Sequence, residues 1–231
     1  RMARLIDLSR EIYHRTPTHP AHPPVILADW VTHEERRRET GGFSSTSMIH
    51  SMGDHAGTHV DAPRHFNSDP EAAGISDLPL ENFYTEAVCL DLSHKPARSD
   101  ISAADLEEAC RAAGVEIREG DTVFLHTGHH ARTFGAPAYL TDFPGLTRES
   151  AEWLGRKGIV SFGVEAVSPG RPGEPNYEVH RVCAEMGFTH MESLMNLEAL
   201  VGQGRFRFAG FPLKIRGGSG SPIRAVAILE D

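Results

Sequence analysis

The chain has 231 residues, of which 39% are hydrophobic and 24% charged, and its formal net charge is −9 with neutral histidines. These values are ordinary for a globular protein, and the length suits one domain spanning residues 1–231. Acidic and basic residues are spread along the chain without a basic stripe, which argues against a nucleic-acid partner.

Cysteine spacing and hydropathy argue against several further classes of protein. The three cysteines are widely spaced and include no C-x-x-C pair, so neither a disulfide framework nor a thiolate zinc site is expected. We therefore expect a reducing cytoplasm. No segment approaches about 18 uninterrupted apolar residues, so neither a membrane span nor a signal peptide is predicted.

Short β-rich runs recur along the chain and predict strands. In chain order they cover residues 4–9, 25–32, 43–52, 86–93, 121–127, 158–165, 205–215 and 223–230. Helical patterns lie between some of them. The first helix is capped by Ser102 and ends at Gly114, the second runs from Thr147 to Gly158, and a third is predicted over Glu192–Gly204. Many short strands with few helices predict a mixed-sheet α/β or α+β domain.

Common nucleotide-binding and nucleophile motifs are absent from the sequence. No G-x-G-x-x-G follows a predicted strand, and no P-loop motif occurs. The run GGSGSP at 217–222 has Ser221 where G-x-S-x-G requires glycine, so we predict a flexible hairpin turn there. The charged run EERRRE is balanced by its own glutamates and is predicted to be a solvated loop or helix face.

The segment GDHAGTHVDAPRHF places three histidines and an aspartate within eleven residues. In extended backbone, His55, His59 and Asp61 would point the same way, because side chains alternate between faces. Gly57 would leave that face open for a metal or for a close backbone approach. Imidazole and carboxylate are ligands that suit Zn²⁺, Mn²⁺ or Fe²⁺. The alternative is that these side chains cap turns and satisfy buried backbone groups.

The same residues carry a family resemblance. HAGTHVDAPRH matches all seven fixed positions of the signature H-x-G-T-H-x-D-x-P-x-H. This signature is typical of the cyclase-like metal-dependent hydrolases, which include bacterial kynurenine formamidase and isatin hydrolase. The blocks RLIDLS, VCLDLS, DTVFLHTG and VHRVCAEMGFTHMESLMNL resemble family blocks in family order, so the resemblance covers nearly the whole chain.

The resemblance implies a site and an architecture. The implied ligands of a first divalent ion, Zn or Mn, are His55, His59 and Asp61. His180 and Glu192 would complete a second ion site bridged by Asp61 and Glu192, with a single ion as the alternative. The implied architecture is a single mixed-sheet α/β domain of the swivelling β/β/α type with a few surface helices, assembled as a homodimer or homotetramer.

The other histidines receive plainer interpretations. By the resemblance, His65 would be the catalytic acid/base. His190 falls outside the family pattern and is interpreted as lying behind the ligands or at the surface. His129 and His130 are interpreted as turn residues.

The implied reaction is hydrolysis of a non-peptide amide C–N bond by metal-activated water, without a serine nucleophile. The substrate would be a small molecule, either an aryl formamide such as N-formylkynurenine or a cyclic amide that is ring-opened, as in isatin hydrolase. His19 stands where the formamidase branch has an aromatic residue, which departs from the family pattern. Candidate substrate contacts are His19, Trp30, Phe43 and Phe66.

Two further alternatives stay open at this point. A metal- or ligand-binding module without catalysis would keep the ligand histidines but have no use for His65. A structural protein would carry incidental histidines. Residues 29–43 look longer than in compact formamidases, and they are predicted to form a lid, a dimer contact or a plain loop.

Overall fold

A computed structural model describes residues 3–230. The strands are β1 Arg4–Asp7, β2 Ile26–Val31, β3 Ser47–Ser51, β4 His59–Asp61, β5 Tyr84–Asp91, β6 Asp100–Ile101, β7 Thr122–His126, β8 Gly145–Leu146, β9 Ser161–Val164, β10 Thr189–Glu192, β11 Arg205–Ala209, β12 Gly220–Pro222 and β13 Val226–Leu229. The helices are α1 His33–Thr40, α2 Pro63–Phe66, α3 Ala103–Ala113, α4 His129–Thr133, α5 Arg148–Arg156 and α6 Glu174–Met186.

Nine of the strands form one mixed sheet in the order β1-β13-β11-β5-β7-β9-β10-β4-β12. The central strands β5, β7, β9 and β10 run parallel to one another, and the remaining neighbours pair antiparallel. This sheet with its helices confirms the predicted mixed-sheet α/β class. β2 and β3 form a separate two-stranded ribbon, and β6 pairs with β8.

The sheet separates two hydrophobic cores, and alternation along β5 shows how. Val88 and Leu90 belong to one core, together with residues of α3, α5 and α6. Ala87 and Cys89 belong to the other core, with residues of β11 and β13. A strand covered on both faces reads as a continuous apolar run, as the sequence of β5 does.

The first two predicted helices are confirmed with their caps. Ser102 accepts a hydrogen bond from the backbone N–H of Asp105 at the start of α3, and Gly114 ends that helix in the left-handed conformation. Thr147 caps α5 in the same way. These boundaries depend on local capping chemistry, which is why the sequence alone predicts them.

The third predicted helix is wrong. Glu192 is the last residue of strand β10, and only a single 3₁₀ turn, Leu197–Leu200, lies within the predicted range. Ser193 and Asn196 adopt positive φ angles of 61° and 59°, which interrupt a right-handed helix. The side-chain amide of Asn196 donates to the carbonyl of Asp7, so a long-range contact holds this turn.

The longest helix, α6, precedes β10 and was not predicted from the sequence. It runs from Glu174 to Met186, with proline in its first turn, and ends at Gly187 in the left-handed conformation. Proline in the first turn and glycine after the last residue are normal helix boundaries.

The GGSGSP run begins in a turn as predicted, since the backbone N–H of Gly218 donates to the carbonyl of Ile215, but it does not remain a free hairpin turn. Its last residues form β12, which pairs antiparallel with β4 at the edge of the sheet. A Cβ on Gly220 would lie 2.8 Å from the carbonyl oxygen of Val60 and 2.9 Å from the Cε1 atom of His55. Glycine is therefore required by the close approach of β12 to the histidine segment.

The EERRRE run lies in α1, an exposed helix between β2 and β3, which confirms the helix-face alternative. Residues 29–43 therefore comprise the end of β2, this helix and the start of the segment that leads to β3. Within residues 3–230, no helix has both the length and the apolar character needed to cross a lipid bilayer.

Candidate metal centre

Two strands present matching pairs of polar side chains to each other. β4 carries His59 and Asp61, β10 carries His190 and Glu192, and the antiparallel register sets Glu192 opposite His59. Side chains two residues apart share a face, so all four converge. The Nε2 atom of His59 is 3.4 Å from Glu192 Oε2, and the Nε2 atom of His190 is 3.2 Å from Asp61 Oδ2. All four residues are buried.

His55 reaches the same carboxylate from the turn before β4. Its Nδ1–H donates to Asp61 Oδ1 over 2.8 Å, and its Nε2 lies 2.9 Å from the Oγ atom of Ser219. The predicted convergence of His55 with His59 and Asp61 is therefore present, although His55 is not in extended strand. Gly57 adopts a φ of 63°, and a Cβ there would lie 2.9 Å from Ile12, so a close packing contact accounts for this glycine.

His180 enters from α6. Its Nδ1–H donates to the backbone carbonyl of Asn176 over 2.8 Å, because a carbonyl can only accept. The Nδ1–H of His59 likewise donates to the carbonyl of Gly57 over 2.9 Å. Both rings are thereby oriented with Nε2 as the free nitrogen, the usual arrangement of metal-binding histidines. His180 Nε2 is 3.8 Å from Asp61 Oδ2.

The donor set fits a divalent cation. Within residues 3–230, neither His59 Nε2 nor Asp61 Oδ2 has a hydrogen-bond partner although both are buried, and such atoms are costly unless something binds them. Two groups of potential metal-binding atoms share Asp61, and the atoms within each group lie within 4.8 Å of one another. Asp61 can therefore contribute to both groups. The first group is His55, His59 and Asp61, and the second is Asp61, His180, His190 and Glu192.

The charged groups of the cluster strongly shift one another's pKa values. Burial acts to raise the pKa of Glu192, but His190 and His59 hold it at about 2. Burial also acts to lower the pKa of His59, yet the carboxylates of Asp61 and Glu192 raise it to about 10. The pKa of His190 is raised well above its usual range by Asp61 despite its burial. Without an ion, protons on these imidazoles balance the two carboxylates.

His65 lies at the edge of this cluster, on the short helix α2 that begins at Pro63. Its Nε2 is 3.7 Å from Asp61 Oδ2, and its ring centroid is 4.1 Å from that of His55. Burial lowers the pKa of His65 to about 4, with Asp61 opposing that shift. The ring is therefore neutral at physiological pH and partly accessible.

A cavity of about 330 Å³ opens onto the cluster. It is lined by His19, Ala21, His22, His55, His65, Phe66, Val167, Ser168, Asn176, Tyr177, His180, Arg181 and Glu192. His19 and Phe66, two of the four predicted substrate contacts, are therefore in its wall. A volume of this size suits a small molecule.

The other two predicted substrate contacts, Trp30 and Phe43, do not line the cavity of their own chain. They are 72% and 67% exposed and are not among the lining residues. Trp30 is on β2 of the separate ribbon, and Phe43 lies between α1 and β3. Because the ribbon strands pair only with each other, the backbone does not carry these side chains to the central strands.

Two residues of the site were undervalued or missed. His190 is fully buried between the two carboxylates, so its interpretation as a surface residue is wrong, whereas a position behind the ligands is consistent with its contacts. The H-x-E spacing of residues 190 and 192 mirrors the H-x-D spacing of residues 59 and 61, and this was the available signal. His22 was missed, and its ring stacks on His55 at 4.5 Å.

The paired histidines after β7 are not turn residues. His129 and His130 begin α4, and His129 is fully buried with its Nε2 2.9 Å from the carbonyl oxygen of Tyr139. The ring of His130 stacks on Phe134. Their interpretation as turn positions is wrong, and both act in packing.

The mixed α/β sheet gathers imidazoles and carboxylates beside a cavity, an arrangement that fits the class of metal-dependent hydrolases. The sequence model of the family described as "Putative cyclase" matches residues 6–171, and this chain belongs to that family. The predicted resemblance is thereby confirmed.

Individual relatives agree with the family match. An isatin hydrolase from Roseibium aggregatum is 32% identical over 192 residues, which cover 77% of this chain and 73% of the relative. A kynurenine formamidase from Sphingopyxis alaskensis is 25% identical over 225 residues, 97% of this chain and 98% of the relative. The structure of isatin hydrolase A from Ralstonia solanacearum has a TM-score of 0.85 at 27% identity, covering 99% of this chain and 92% of that chain.

Proposed function

We propose that this chain hydrolyses a non-peptide amide C–N bond in a small molecule, using a divalent metal ion. The observation that carries the proposal is the pair of unpartnered buried atoms, His59 Nε2 and Asp61 Oδ2, in a cluster whose members His55, His65 and Glu192 line a cavity. Buried polar atoms without hydrogen-bond partners are rare in folded proteins, and a bound cation would satisfy both of these atoms at once.

The proposed ligands of the first ion are His55, His59 and Asp61. His180 and Glu192 would complete a second ion site together with Asp61, and one ion remains the alternative. Zn²⁺ and Mn²⁺ both suit this combination of imidazoles and carboxylates. His190 stays behind the ligands, with its Nε2 3.1 Å from Glu192 Oε1, the oxygen to which it donates, and 3.2 Å from Asp61 Oδ2.

His65 is the proposed catalytic acid/base. A bound divalent ion lowers the pKa of water from 15.7 to about 7 and polarises a carbonyl oxygen. The neutral ring of His65 lines the cavity, so it accepts a proton from the attacking water and delivers it to the leaving nitrogen. Because water is the nucleophile, no acyl-enzyme forms.

The cavity favours a compact aromatic amide. His19, His22 and Phe66 contribute ring surfaces to its wall, which suit a flat aryl group. We propose either ring opening of a cyclic amide such as isatin or hydrolysis of an aryl formamide such as N-formylkynurenine. The 32% identity to an isatin hydrolase supports the first. At position 19 this chain has histidine where the formamidase branch has the larger ring of tryptophan, and this difference argues against N-formylkynurenine as the substrate.

The direct test is metal content and turnover. Purified protein is stripped with a chelator, reloaded with Zn²⁺ or Mn²⁺, and assayed with isatin, N-formylkynurenine and simple lactams. Activity should vanish on stripping and return with metal, and His59→Ala should abolish both metal binding and turnover. His94→Ala is the matched control, because His94 is an exposed histidine in the turn after β5 and lies outside the β2–β3 ribbon. Full activity in stripped protein or in His59→Ala would refute the proposal.

We also propose a homodimer, with a homotetramer as the larger alternative, built on the β2–β3 ribbon. Large apolar side chains are exposed there, namely Ile26, Trp30, Phe43, Met48 and Ile49. A two-stranded ribbon alone is only marginally stable in water, so a covering partner is needed. A second copy is the occupant we propose, because two-fold pairing of identical surfaces is the commonest form of assembly.

The domain organisation and the cellular compartment are also part of this proposal. The proposed ligands come from β4 and β10 of the nine-stranded sheet, from the turn before β4 and from α6, which packs on that sheet, and this supports a single hydrolase domain over the chain. Three free thiols, at Cys89, Cys110 and Cys183, support a reducing cytoplasm.

A further inference from the structure

A second cluster of metal-binding side chains lies outside the cavity wall. His126 is the last residue of β7, Glu165 directly follows β9, and Glu198 is in the 3₁₀ turn after β10. One ring nitrogen and one carboxylate oxygen from each glutamate lie within 4.8 Å of one another. None of the three lines the cavity or belongs to the proposed catalytic ligands.

Two atoms of this cluster are buried without partners. Glu165 is 1% exposed, and its Oε2 accepts hydrogen bonds from the backbone N–H and the hydroxyl of Thr127 over 2.7 Å and 2.9 Å. Among the residues that the structure describes, neither its Oε1 nor the Nδ1 of His126 has a hydrogen-bond partner. A buried carboxylate oxygen and a buried ring nitrogen beside a third carboxylate need a common binding partner.

A simple ion pair between His126 and Glu165 does not account for these atoms. Burial acts to lower the pKa of His126, and Glu165 overcomes it, so the pKa is raised overall. The Nδ1 atom is nevertheless 3.6 Å from Glu165 Oε2, which is too long for a hydrogen bond. The pair would also leave Glu165 Oε1 unsatisfied and give Glu198 no role.

We propose that His126, Glu165 and Glu198 form a second, separate divalent-cation site. One imidazole and two carboxylates suit Zn²⁺ or Mn²⁺, and water would complete the coordination on the exposed side at Glu198. The ion would neutralise two negative charges, one of which is fully buried. It would also satisfy both unpartnered atoms at once.

The site has a structural consequence for the cavity. Glu165 precedes the segment that carries Val167 and Ser168 into the cavity wall. The backbone on either side of Glu165 is held by N–H groups of Ser193 and Leu194, which donate to the carbonyls of residues 166 and 164. An ion on Glu165 would therefore fix this wall from behind, without touching the substrate.

The test compares two glutamates in equivalent positions. Glu198 and Glu81 are each the second residue of a 3₁₀ turn and each follows a leucine, but only Glu198 belongs to the cluster. Equilibrium dialysis of full-length wild type, Glu198→Gln and Glu81→Gln against Mn²⁺ or Zn²⁺ would count the bound equivalents. We expect Glu198→Gln to weaken one class of site by about tenfold or more, and Glu81→Gln to match wild type.

A crystal soaked with Mn²⁺ gives the site-resolved readout. We expect an anomalous peak between the three side chains in wild type and in Glu81→Gln, with loss of that peak in Glu198→Gln. No peak in wild type at saturating metal, or equal affinity of Glu198→Gln and wild type for every bound equivalent, would overturn the proposal. Either result is independent of ion binding at Asp61 and therefore of the proposed hydrolysis.

Discussion

Asp61 on β4 and His190 on β10 face each other across an antiparallel pair, with 3.2 Å between Asp61 Oδ2 and His190 Nε2. Asp61 belongs to both groups of metal-binding side chains. The contact places its carboxylate directly against the fully buried imidazole of His190. The imidazole supports the charge of Asp61 from behind, which leaves the carboxylate ionised and ready to bind a cation.

Ion binding should release a proton. In the metal-free protein His59 has a pKa of about 10, so it is protonated at pH 8, and it must lose that proton to bind a metal. Affinity should therefore rise with pH by about tenfold per unit below pH 10 for one displaced proton. Calorimetric titrations of Mn²⁺ in two buffers of different ionisation enthalpy would measure the release. Identical heats in both buffers would contradict it.

Replacing the proposed acid/base should separate binding from turnover. In His65→Ala we expect kcat to fall by about 10²–10⁴-fold, because proton transfer is lost while the proposed metal ligands remain. Metal content is measured on the same preparation, with His94→Ala as the control. If the protein bound metal without catalysis, the wild type would show no turnover. His65→Ala would then leave every ligand affinity unchanged, which would contradict the role of His65 as acid/base.

His22 should affect substrate affinity more than chemistry. Its ring stacks on His55 with 14° between the planes and lines the cavity. An aromatic contact contributes about 0.5–1.5 kcal/mol, so His22→Ala should raise KM by about two- to tenfold, with kcat little changed. His22→Phe should keep KM near the wild-type value, because it retains an aromatic ring. A fall in metal content instead would show that His22 is a ligand.

The ribbon should control assembly. Trp30→Glu places a charge on the exposed apolar surface, and we expect it to convert the dimer to a monomer in light scattering. Leu80→Glu is the matched control, because Leu80 is 63% exposed but lies outside the ribbon. A monomeric wild type, or a dimer that survives Trp30→Glu, would count against this interface.

The local parts of the fold and site were predictable from sequence because their signals lie within a few residues. The capped helices that begin after Ser102 and Thr147 depend on bonds that span a single turn. The convergence of His55, His59 and Asp61 depends on one segment of 53–66, and its composition indicates a metal site without any knowledge of distant strands.

Contacts between distant segments were decided only by the tertiary structure. His190 faces Asp61 because β10 pairs with β4, and the residues after Glu192 do not continue as a helix because Asn196 is held by Asp7. Trp30 is exposed rather than in the cavity because β2 pairs only with β3. Local spacing specifies which chemical groups a segment offers, whereas strand pairing across the whole chain decides which of those groups meet.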